Sequence, residues 1–392
     1  DRYLETAHRH GISCMVVLGN DCMPPKDEFY RPPRLGVQPC DWGYHGGRKH
    51  SQHSDFAAMG YHLLDDPKLA QRHYEWVREI IGTHKNDPRI VMWDLYNEAG
   101  NSHREKVTVS HLKEFFRIAR EIDPSQPLTS CTWRCPGDPE QGIPEIERIA
   151  VENSDIVTFH SYSSYQENVR VIKRLKRYGR PLVNTEWLAR GLHNTVQEMF
   201  PLFYLEKIGC YNWGFVAGRY QTYEPWNGLW QEYDKNPDID VDFTKWFHDL
   251  YRPNHRPYDP KEIELIKRFC SYADRDFERD GKAPQGGSRG RHPFLHCGKR
   301  RTPNVKGVLF FYRKAVPRRR RRHHRRKPGG RTFLYFFNFL SGKQPTVPSG
   351  YDCTGDSERI RAARAGGSVP GESREKNSDD ETENKSWRVR DG

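Results

Sequence analysis

The chain lacks long apolar runs and phosphate-binding loops, and each absence excludes a class of protein. No stretch of 18 apolar residues occurs in the 392-residue sequence, so we expect no membrane-spanning helix. No G-x-G-x-x-G or P-loop pattern follows an apolar strand, which argues against a nucleotide-binding fold.

The cysteines and histidines also lack the spacings that are typical of redox or metal sites. The nine Cys are an odd number, and Cys131 and Cys135 fit neither a redox C-x-x-C pair nor half of a zinc site. Four histidines of one long loop have no metal-ligand spacing: His45, His50, His53 and His62. We therefore expect buried or free thiols, no metal site and no cofactor.

Positive charge is concentrated at one end of the chain. Residues 276–392 hold 28 Lys and Arg against 13 Asp and Glu, which leaves 36 basic and 39 acidic residues in the first 275. Nine of the ten Trp lie in that near-neutral body. Because DNA phosphates demand a basic surface, an aromatic, near-neutral body suits an uncharged ligand better than nucleic acid.

Short apolar strands alternate with amphipathic helices from residue 1 to about 270. The predicted strands are Ile12–Leu18, Ile90–Tyr96, Leu128–Thr132, Asp155–Phe159, Leu182–Thr185 and Cys210–Phe215. The predicted helices are 1–10, one that starts at Pro67 with Asp66 as N-cap, 109–122, 144–152, 166–178, 194–208, 243–250 and 260–269. This alternation predicts an α/β fold with a parallel sheet, and specifically a TIM (β/α)₈ barrel. Since only six strands are found and the chain starts inside a helix, we expect a barrel lacking its first two strands.

The difference in composition between the two parts of the chain predicts two regions. Residues 1–270 form the partial barrel, and 271–392 are expected to be a low-complexity basic tail that is disordered. The tail contains the basic run Arg318–Arg326 and two apolar runs, Val308–Tyr312 and Phe333–Phe337. These runs could pair as strands, but neither has a crossover helix to place it parallel to the sheet.

Two glutamates each follow an apolar strand, three strands apart. Glu98 ends Trp93-Asp94-Leu95-Tyr96-Asn97-Glu98, and Glu186 lies in Leu182-Val183-Asn184-Thr185-Glu186-Trp187. In a TIM barrel the active site is built from the carboxyl ends of the strands. Glycoside hydrolysis needs two carboxyl groups flanking one bond, so this pair predicts that chemistry. Asp94 lies a layer deeper and is interpreted as a paired structural carboxylate.

These motifs resemble clan A of the glycoside hydrolases, and family 5 in particular. There the Glu of Asn-Glu ends the fourth strand as acid/base, and the Glu ending the seventh strand is the nucleophile. The resemblance covers about residues 12–269 and includes Phe159-His160-Ser161-Tyr162 and the segments 211–218, 246–249 and 257–260. It implies a retaining hydrolase of a β-linked poly- or oligosaccharide that needs no cofactor and acts as a monomer.

The resemblance also implies roles for single residues. Glu98 is the expected acid/base and Glu186 the expected nucleophile. The expected substrate-binding residues are Asn97, His160, Tyr162, Trp213, Asn20, Asp21 and Trp187. The two carboxyl groups should lie about 5–5.5 Å apart, and burial together with the charge of Glu186 should raise the pKa of Glu98.

Two departures from the family pattern leave alternatives open. Ala99 follows Glu98 where relatives often have Pro, and the family's active-site Arg comes from an early strand that the chain lacks. A carbohydrate-binding remnant without activity is therefore an alternative to the enzyme. Nucleic-acid binding through Arg318–Arg326 is a second alternative, although no aromatic platform interleaves that run.

Overall fold

The structure is a computed structural model that describes residues 1–22, 45–48, 63–281 and 332–336. These residues belong to one unit, Asp1–Lys343. Within them, every helix is too short or too polar to cross a membrane.

The described strands are all parallel. They are β1 (Ile12–Val17), β2 (Ile90–Asp94), β3 (Leu128–Thr129), β4 (Val157–His160), β5 (Leu182–Glu186), β6 (Gly209–Cys210) and β7 (Thr332–Phe336). β1 to β6 follow one another in chain order, whereas β7 lies beside β1. One sheet has the order β3-β2-β1-β7 and the other β4-β5-β6. A parallel bridge between Thr132 and Phe159 links the two sheets. Each of the six predicted strands overlaps an observed one, although Leu128–Thr132 is reduced to the two residues of β3 and Cys210–Phe215 shares only Cys210 with β6. The carboxyl ends of these strands lie along one edge.

Helices connect the strands, as expected for a parallel sheet. They are α1 (Arg2–Arg9), α2 (Pro67–His84), α3 (Glu105–Ile122), α4 (Glu145–Asn153), α5 (Tyr165–Leu175), α6 (Val196–Glu206), α7 (Asn227–Lys235) and α8 (Pro260–Gly281). The predicted start of α2 is confirmed, since the Asp66 carboxylate accepts hydrogen bonds from the backbone N–H groups of Lys68 and Leu69. Gly11, with φ of 72°, follows the end of α1.

The predicted helix 243–250 is wrong, and α7 was not predicted. The N–H groups of Phe247 and His248 donate to the carbonyls of Tyr223 and Thr222, so this segment bonds to another loop instead of to itself. Its apolar spacing reflects burial against that loop. In α7 no residue is buried.

The tail contributes a strand, which differs from the expectation that 271–392 is disordered. β7 pairs in parallel with β1 along its length, from Ile12 opposite Thr332 to Val16 opposite Phe336. An open strand edge presents unpaired N–H and C=O groups, and a run of aromatic residues with high strand propensity satisfies them. The run Val308–Tyr312 lies outside the described residues, and α8 extends past the predicted boundary at 270.

The core consists of apolar clusters on and within the sheets. One larger cluster packs α2 and α3 on β1 and β2, and the other packs α5, α6 and α8 on β4 and β5. A smaller cluster draws residues from both sheets: Met15, Met92, Ile156, Val183 and Tyr211. Shared packing of this kind is what the interior of a curved parallel sheet requires. Among the described strands, none joins β6 to β7, so a closed barrel is not seen.

A buried ion pair fixes α8 against the sheet. The guanidinium of Arg190 donates two hydrogen bonds to the Glu262 carboxylate, at 2.8 and 2.6 Å, and both side chains are almost fully buried. Arg190 lies just beyond β5, and Glu262 is in the first turn of α8. The pair therefore connects the helix to the segment that follows Glu186.

We predict that Glu262→Ala lowers the free energy of unfolding by about 3–5 kcal/mol, because it leaves the Arg190 charge buried without a partner. Chemical denaturation measures this change. The control is Glu152→Ala, which breaks the exposed pair with Arg148 and should have a far smaller effect. Equal losses in the two variants would contradict the importance of the buried pair.

Candidate active site

The loop after β2 holds Glu98 in an unusual backbone conformation. Glu98 has φ of 46°, in the left-handed region that non-glycine residues rarely adopt. Its N–H group donates to the Cys131 sulfur at 3.1 Å, and its carbonyl accepts from the N–H of Asn101 at 3.0 Å. Strain at such a position persists only where the surroundings hold it, and it is often found at functional sites.

Asp21 supports this loop from below, which corrects its predicted role as a sugar contact. Asp21 is 1% exposed, and its Oδ2 accepts from the N–H of Gly100 at 2.6 Å and the hydroxyl of Thr108 at 2.9 Å. A carboxylate so buried has no surface to offer a sugar. Its position at a strand end was read correctly, but its direction depends on a loop nearly 80 residues away in sequence.

Glu186 lies at the end of β5, where its carboxylate is buried. The hydroxyl of Tyr162 donates to Glu186 Oε2 at 2.7 Å. The next residue, Trp187, was predicted to bind substrate but is 1% exposed and packs on Phe203, with ring centroids 5.2 Å apart. Successive strand residues point to opposite faces, so Trp187 faces α6 when Glu186 faces the site.

His160 lies between the two glutamates. Its Nδ1 is 2.8 Å from Glu98 Oε1 and 3.4 Å from Glu186 Oε2. Each of the three side chains has one atom that could bind a metal ion, a ring nitrogen or a carboxylate oxygen, and these atoms all lie within 4.8 Å of one another. The three residues are the described ones whose arrangement could hold a metal ion, but hydrogen bonding between them already accounts for the close approach.

Burial and the charge of His160 set the protonation of the pair. Burial acts to raise the pKa of Glu98, but the hydrogen bond and positive charge of His160 outweigh it and hold the pKa below its ordinary value. Burial raises the pKa of Glu186 to about 8, against the attraction of His160 and with the repulsion of Glu98. For His160, burial opposes the charged form, but interactions with Cys131, Glu186 and Glu98 raise its pKa well above the ordinary value. The prediction of a raised pKa for Glu98 is thus wrong in this state, because the cation that contacts Glu98 was not foreseen.

The two asparagines predicted to contact sugar bind each other. The Asn97 side-chain amide donates to Asn20 Oδ1 at 2.9 Å, and Asn97 is 2% exposed. Asn20 itself is exposed at the edge of the site. Asn97 is therefore held in place by Asn20, with its amide turned to the protein.

Asp94 differs from its interpretation as a paired carboxylate. It is fully buried, and burial raises its pKa to about 7. Its Oδ1 accepts from the N–H of Tyr96 at 3.1 Å, while Oδ2 has no hydrogen-bond partner in the described part of the chain. The burial of Asp94 outweighs the attraction of the His160 cation, and burial favours the neutral form of a carboxyl group.

An aromatic wall extends from Trp213 past Tyr162. The Trp213 indole N–H donates to His45 Nε2 at 3.1 Å, and the ring of Tyr162 meets Trp226 edge-on with centroids 5.1 Å apart. His248 lies 5.4 Å from Tyr162 and 5.5 Å from His45, measured between ring centroids. Sequence reasoning predicted Trp213 but gave no role to His45, Trp226 or His248. The other three loop histidines and Arg318–Arg326 lie outside the described residues.

A cavity of about 230 Å³ opens beside Glu98. Its lining includes Glu98, His160, Tyr162, Trp133 and Glu167. The Trp133 indole N–H donates to the carbonyl of Ala99 at 3.0 Å, which fixes this ring next to the Glu98 loop. Trp133 was not predicted, although it follows β3 at the same edge where the other site residues lie.

Comparison with known proteins gives a consistent chemical class. Residues 45–234 match the family model for glycosyl hydrolases family 2, TIM barrel domain. A β-glucuronidase of Paenibacillus borealis is 24% identical over 151 residues, which cover 35% of this chain and 24% of that protein. The β-glucuronidase of Rattus norvegicus is 28% identical over 138 residues, covering 33% and 21%. The chain thus spans less than a quarter of the length of either relative.

The solved structure of a Faecalibacterium prausnitzii β-glucuronidase is also similar to this chain. The two sequences are 16% identical, the TM-score is 0.35, and the alignment covers 68% of this chain and 44% of that one.

Residues 45–234 are therefore similar to a glycoside hydrolase TIM-barrel domain. The match favours family 2, so the predicted resemblance to family 5 is not confirmed. The Asn-Glu and Thr-Glu-Trp motifs describe a carboxylate pair and its supports. Motifs of this kind indicate the type of reaction more directly than they indicate the family.

We predict that the stability difference between Glu186→Gln and the wild-type protein depends on pH. The folded pKa of about 8 lies above the ordinary value of 4.5, so proton binding at Glu186 stabilises the folded state fully below pH 4.5, and this stabilisation is lost as pH rises through 8. Glutamine cannot ionise, so the melting temperature of Glu186→Gln should rise relative to wild type between pH 5 and 8. Thermal unfolding across this range measures it.

Glu198→Gln is the matched control, since Glu198 is exposed on α6. Its melting temperature should follow that of the wild-type protein across the same pH range. A pH-independent difference for Glu186→Gln would contradict a raised pKa.

Proposed function

We propose that this chain contains the catalytic site of a retaining glycoside hydrolase that cleaves a β-linked poly- or oligosaccharide, with Glu98 as acid/base and Glu186 as nucleophile. One observation carries the proposal: carboxylate oxygens from two different strand ends lie within 4.8 Å of each other, on either side of one histidine. Retaining enzymes have carboxyl groups about 5–5.5 Å apart, whereas inverting enzymes need about 6.5–9.5 Å to admit a water. The short separation supports retention.

In the first step Glu186 attacks the anomeric carbon while Glu98 protonates the leaving oxygen. The Tyr162 hydroxyl, 2.7 Å from Glu186 Oε2, orients the carboxylate and favours its ionised form. In the second step Glu98 takes a proton from water, which attacks the glycosyl-enzyme and releases Glu186. Each step inverts the anomeric carbon, so the product keeps the configuration of the substrate.

The pair must redistribute its proton before the first step. In the unliganded site Glu98 is the more acidic group and Glu186 has a pKa of about 8, which is the reverse of what the first step needs. Because His160 Nδ1 lies within 3.4 Å of both carboxylates, its N–H can donate to either one. The three groups therefore titrate as one unit, and bound substrate decides which carboxyl group keeps the proton.

The cavity beside Glu98 suits the leaving group. An acid that protonates the leaving oxygen must face that part of the substrate, and this cavity is lined by Glu98. Trp133 offers an apolar ring there, and Glu167 and Ser163 offer hydrogen-bonding groups. A sugar needs this combination, since its ring faces are apolar and its edges carry hydroxyls.

The reacting sugar is proposed to be uncharged. Among the described side chains that act most strongly on the Glu186 carboxyl group, His160 supplies the positive charge. That charge is already shared between two carboxylates. A uronic acid would add a third carboxylate and so needs a further cation. The near-neutral aromatic wall instead favours a neutral pyranoside, although the sequence relatives are β-glucuronidases.

The roles of the two glutamates lead to a kinetic prediction. Glu186→Ala should reduce turnover by at least about 10³-fold, and azide should restore it by forming a glycosyl azide of inverted configuration. Glu98→Ala should slow substrates with poor leaving groups by about 10²–10⁴-fold and activated aryl glycosides far less, because only the former need protonation. Steady-state kinetics with both substrate types and NMR of the azide product measure these effects.

Glu167→Gln is the control, since Glu167 lines the cavity but has no proposed proton-transfer role. It should not change the dependence of rate on leaving-group pKa. Equal effects of Glu98→Ala on activated and unactivated substrates would overturn the assignment. Sugar binding without turnover in the wild-type protein would favour the remnant instead.

The charge of the substrate leads to a second prediction. For matched 4-nitrophenyl substrates, kcat/KM for the best of a β-glucoside, β-mannoside, β-galactoside and β-xyloside should exceed that for the β-glucuronide by at least about 100-fold. Burying an unpaired carboxylate costs several kcal/mol, and about 1.4 kcal/mol is a factor of ten. Preference for the glucuronide would refute the neutral-sugar proposal and leave the roles of the glutamates intact.

A further inference from the structure

A short segment of a long loop is anchored at several points beside the site. We call residues 45–48 the His45 strap. Its backbone is held by hydrogen bonds from His45 N–H to the Tyr220 carbonyl and from Gly47 N–H to the Pro225 carbonyl, both at 2.8 Å. At its far end the Arg48 guanidinium binds the Asp234 carboxylate and lies 4.4 Å from the centre of the Trp230 ring. The strap is thereby fixed to the loop that leads into α7.

Two glycines allow this close approach. A Cβ atom at Gly46 would lie 2.3 Å from the Glu224 carbonyl oxygen and 2.9 Å from that of Gln221. Both neighbours are backbone atoms, so they cannot turn away as a side chain could. Gly47 has φ of 95°, which residues with a Cβ rarely adopt. Glycine is therefore required at both positions for the strap to lie where it does.

The strap carries the His45 ring to the indole of Trp213. The indole N–H donates to His45 Nε2 at 3.1 Å, and the ring centroids are 5.2 Å apart with the planes tilted by 42°. An indole N–H can only donate, so Nε2 must be the accepting nitrogen and the proton of the neutral ring must lie on Nδ1. Burial lowers the pKa of His45 to about 4, so the ring is neutral near pH 7.

The hydrogen bond to His45 constrains the orientation of the Trp213 ring. His248 and Tyr220 contact the His45 ring at 5.5 and 5.7 Å between centroids. The Trp213 backbone N–H is bound to the Trp187 carbonyl at 3.0 Å. The Trp213 side chain is 8% exposed, so packing limits its rotamers, and the hydrogen bond at the ring edge selects among the orientations that packing allows.

We propose that His45 is a positioning residue for sugar binding: it accepts the indole N–H of Trp213 and holds that ring flat toward the reacting sugar, and Gly46 and Gly47 keep it there. This rests on the proposed function in one respect, namely that Trp213 is the floor beneath the sugar. Flat stacking needs a fixed ring plane, and a fixed platform loses less entropy when the sugar binds.

The test compares His45→Phe, which keeps an aromatic ring without an acceptor, with His45→Gln, which keeps an acceptor on a chain of similar reach. In the full chain labelled with ¹⁵N-tryptophan, the indole signal of Trp213 is identified by its loss in Trp213→Phe. It should move upfield and exchange its proton faster in His45→Phe, and return toward the wild-type position in His45→Gln. This readout needs no catalytic activity.

Kinetics then separate positioning from general packing. His45→Phe should lower kcat/KM for the best neutral aryl glycoside by about tenfold, the value of one hydrogen bond, and His45→Gln should restore most of it. If His45 acts through Trp213, adding His45→Phe to Trp213→Phe should cause no further loss, so the double-mutant cycle should show nearly complete coupling. Independent, multiplicative losses would overturn the proposal.

A second variant tests the glycines. Gly46→Ala should displace the strap and shift the Trp213 indole signal in the same direction as His45→Phe. The matched control is Gly82→Ala in α2, where an added Cβ meets nothing within 4 Å, and the indole signal should not move. An unchanged Trp213 signal in both His45→Phe and Gly46→Ala would overturn the inference. Absence of turnover in the wild-type protein, with the expected indole shifts, would instead count against the proposed function alone.

Discussion

The site depends on one constraint: two buried carboxyl groups whose oxygens lie within 4.8 Å of each other cannot both ionise without a positive charge between them. Like charges at that distance in a poorly solvated site repel strongly, and burial adds its own cost. The charge of His160 offsets both the repulsion and the cost of burial, because one ring nitrogen contacts Glu98 and Glu186 together. For this to happen β2, β4 and β5 must deliver their carboxyl ends to the same edge of the sheet. The parallel order of the strands is thus a requirement of the site.

The supports of the pair come from widely separated parts of the chain. Asp21 and Cys131 hold the loop of Glu98 in its strained conformation, and Tyr162 orients Glu186. On the far side, the buried Arg190–Glu262 pair ties α8 to the segment after β5. Each support is a short polar contact within a buried network, where a single unpaired group is costly. This is why substitutions at supports should act on the site without touching the substrate.

The sequence predicted what local patterns determine and missed what depends on distant contacts. The six strands, the start of α2 at Asp66 and the strand-end position of both glutamates follow from periodicity and capping. The direction of Asp21 and the insertion of His45 depend on loops far away in sequence, so no local pattern could find them. Trp187 could have been assigned to the core from strand alternation alone. The apolar run Phe333–Phe337 marked a possible strand, but its parallel pairing with β1 depends on an open edge more than 300 residues away in sequence.

The protonation of the unliganded site corresponds to one stage of the proposed reaction. In it Glu98 is ionised beside the His160 cation, and Glu186, with a pKa of about 8, is neutral. After the first step Glu186 would be an ester, also neutral, and Glu98 would have lost its proton to the leaving group. Both states present Glu98 as a base, with His160 donating to it. Glu98 becomes the acid when substrate favours the ionised form of Glu186, since the positive charge that develops at the anomeric carbon stabilises that carboxylate. His160 then donates to Glu186, and the shift requires no proton from solvent. In the proposed reaction the same three groups would thus provide an acid in one step and a base in the next, because one cation can pair with whichever carboxylate is ionised.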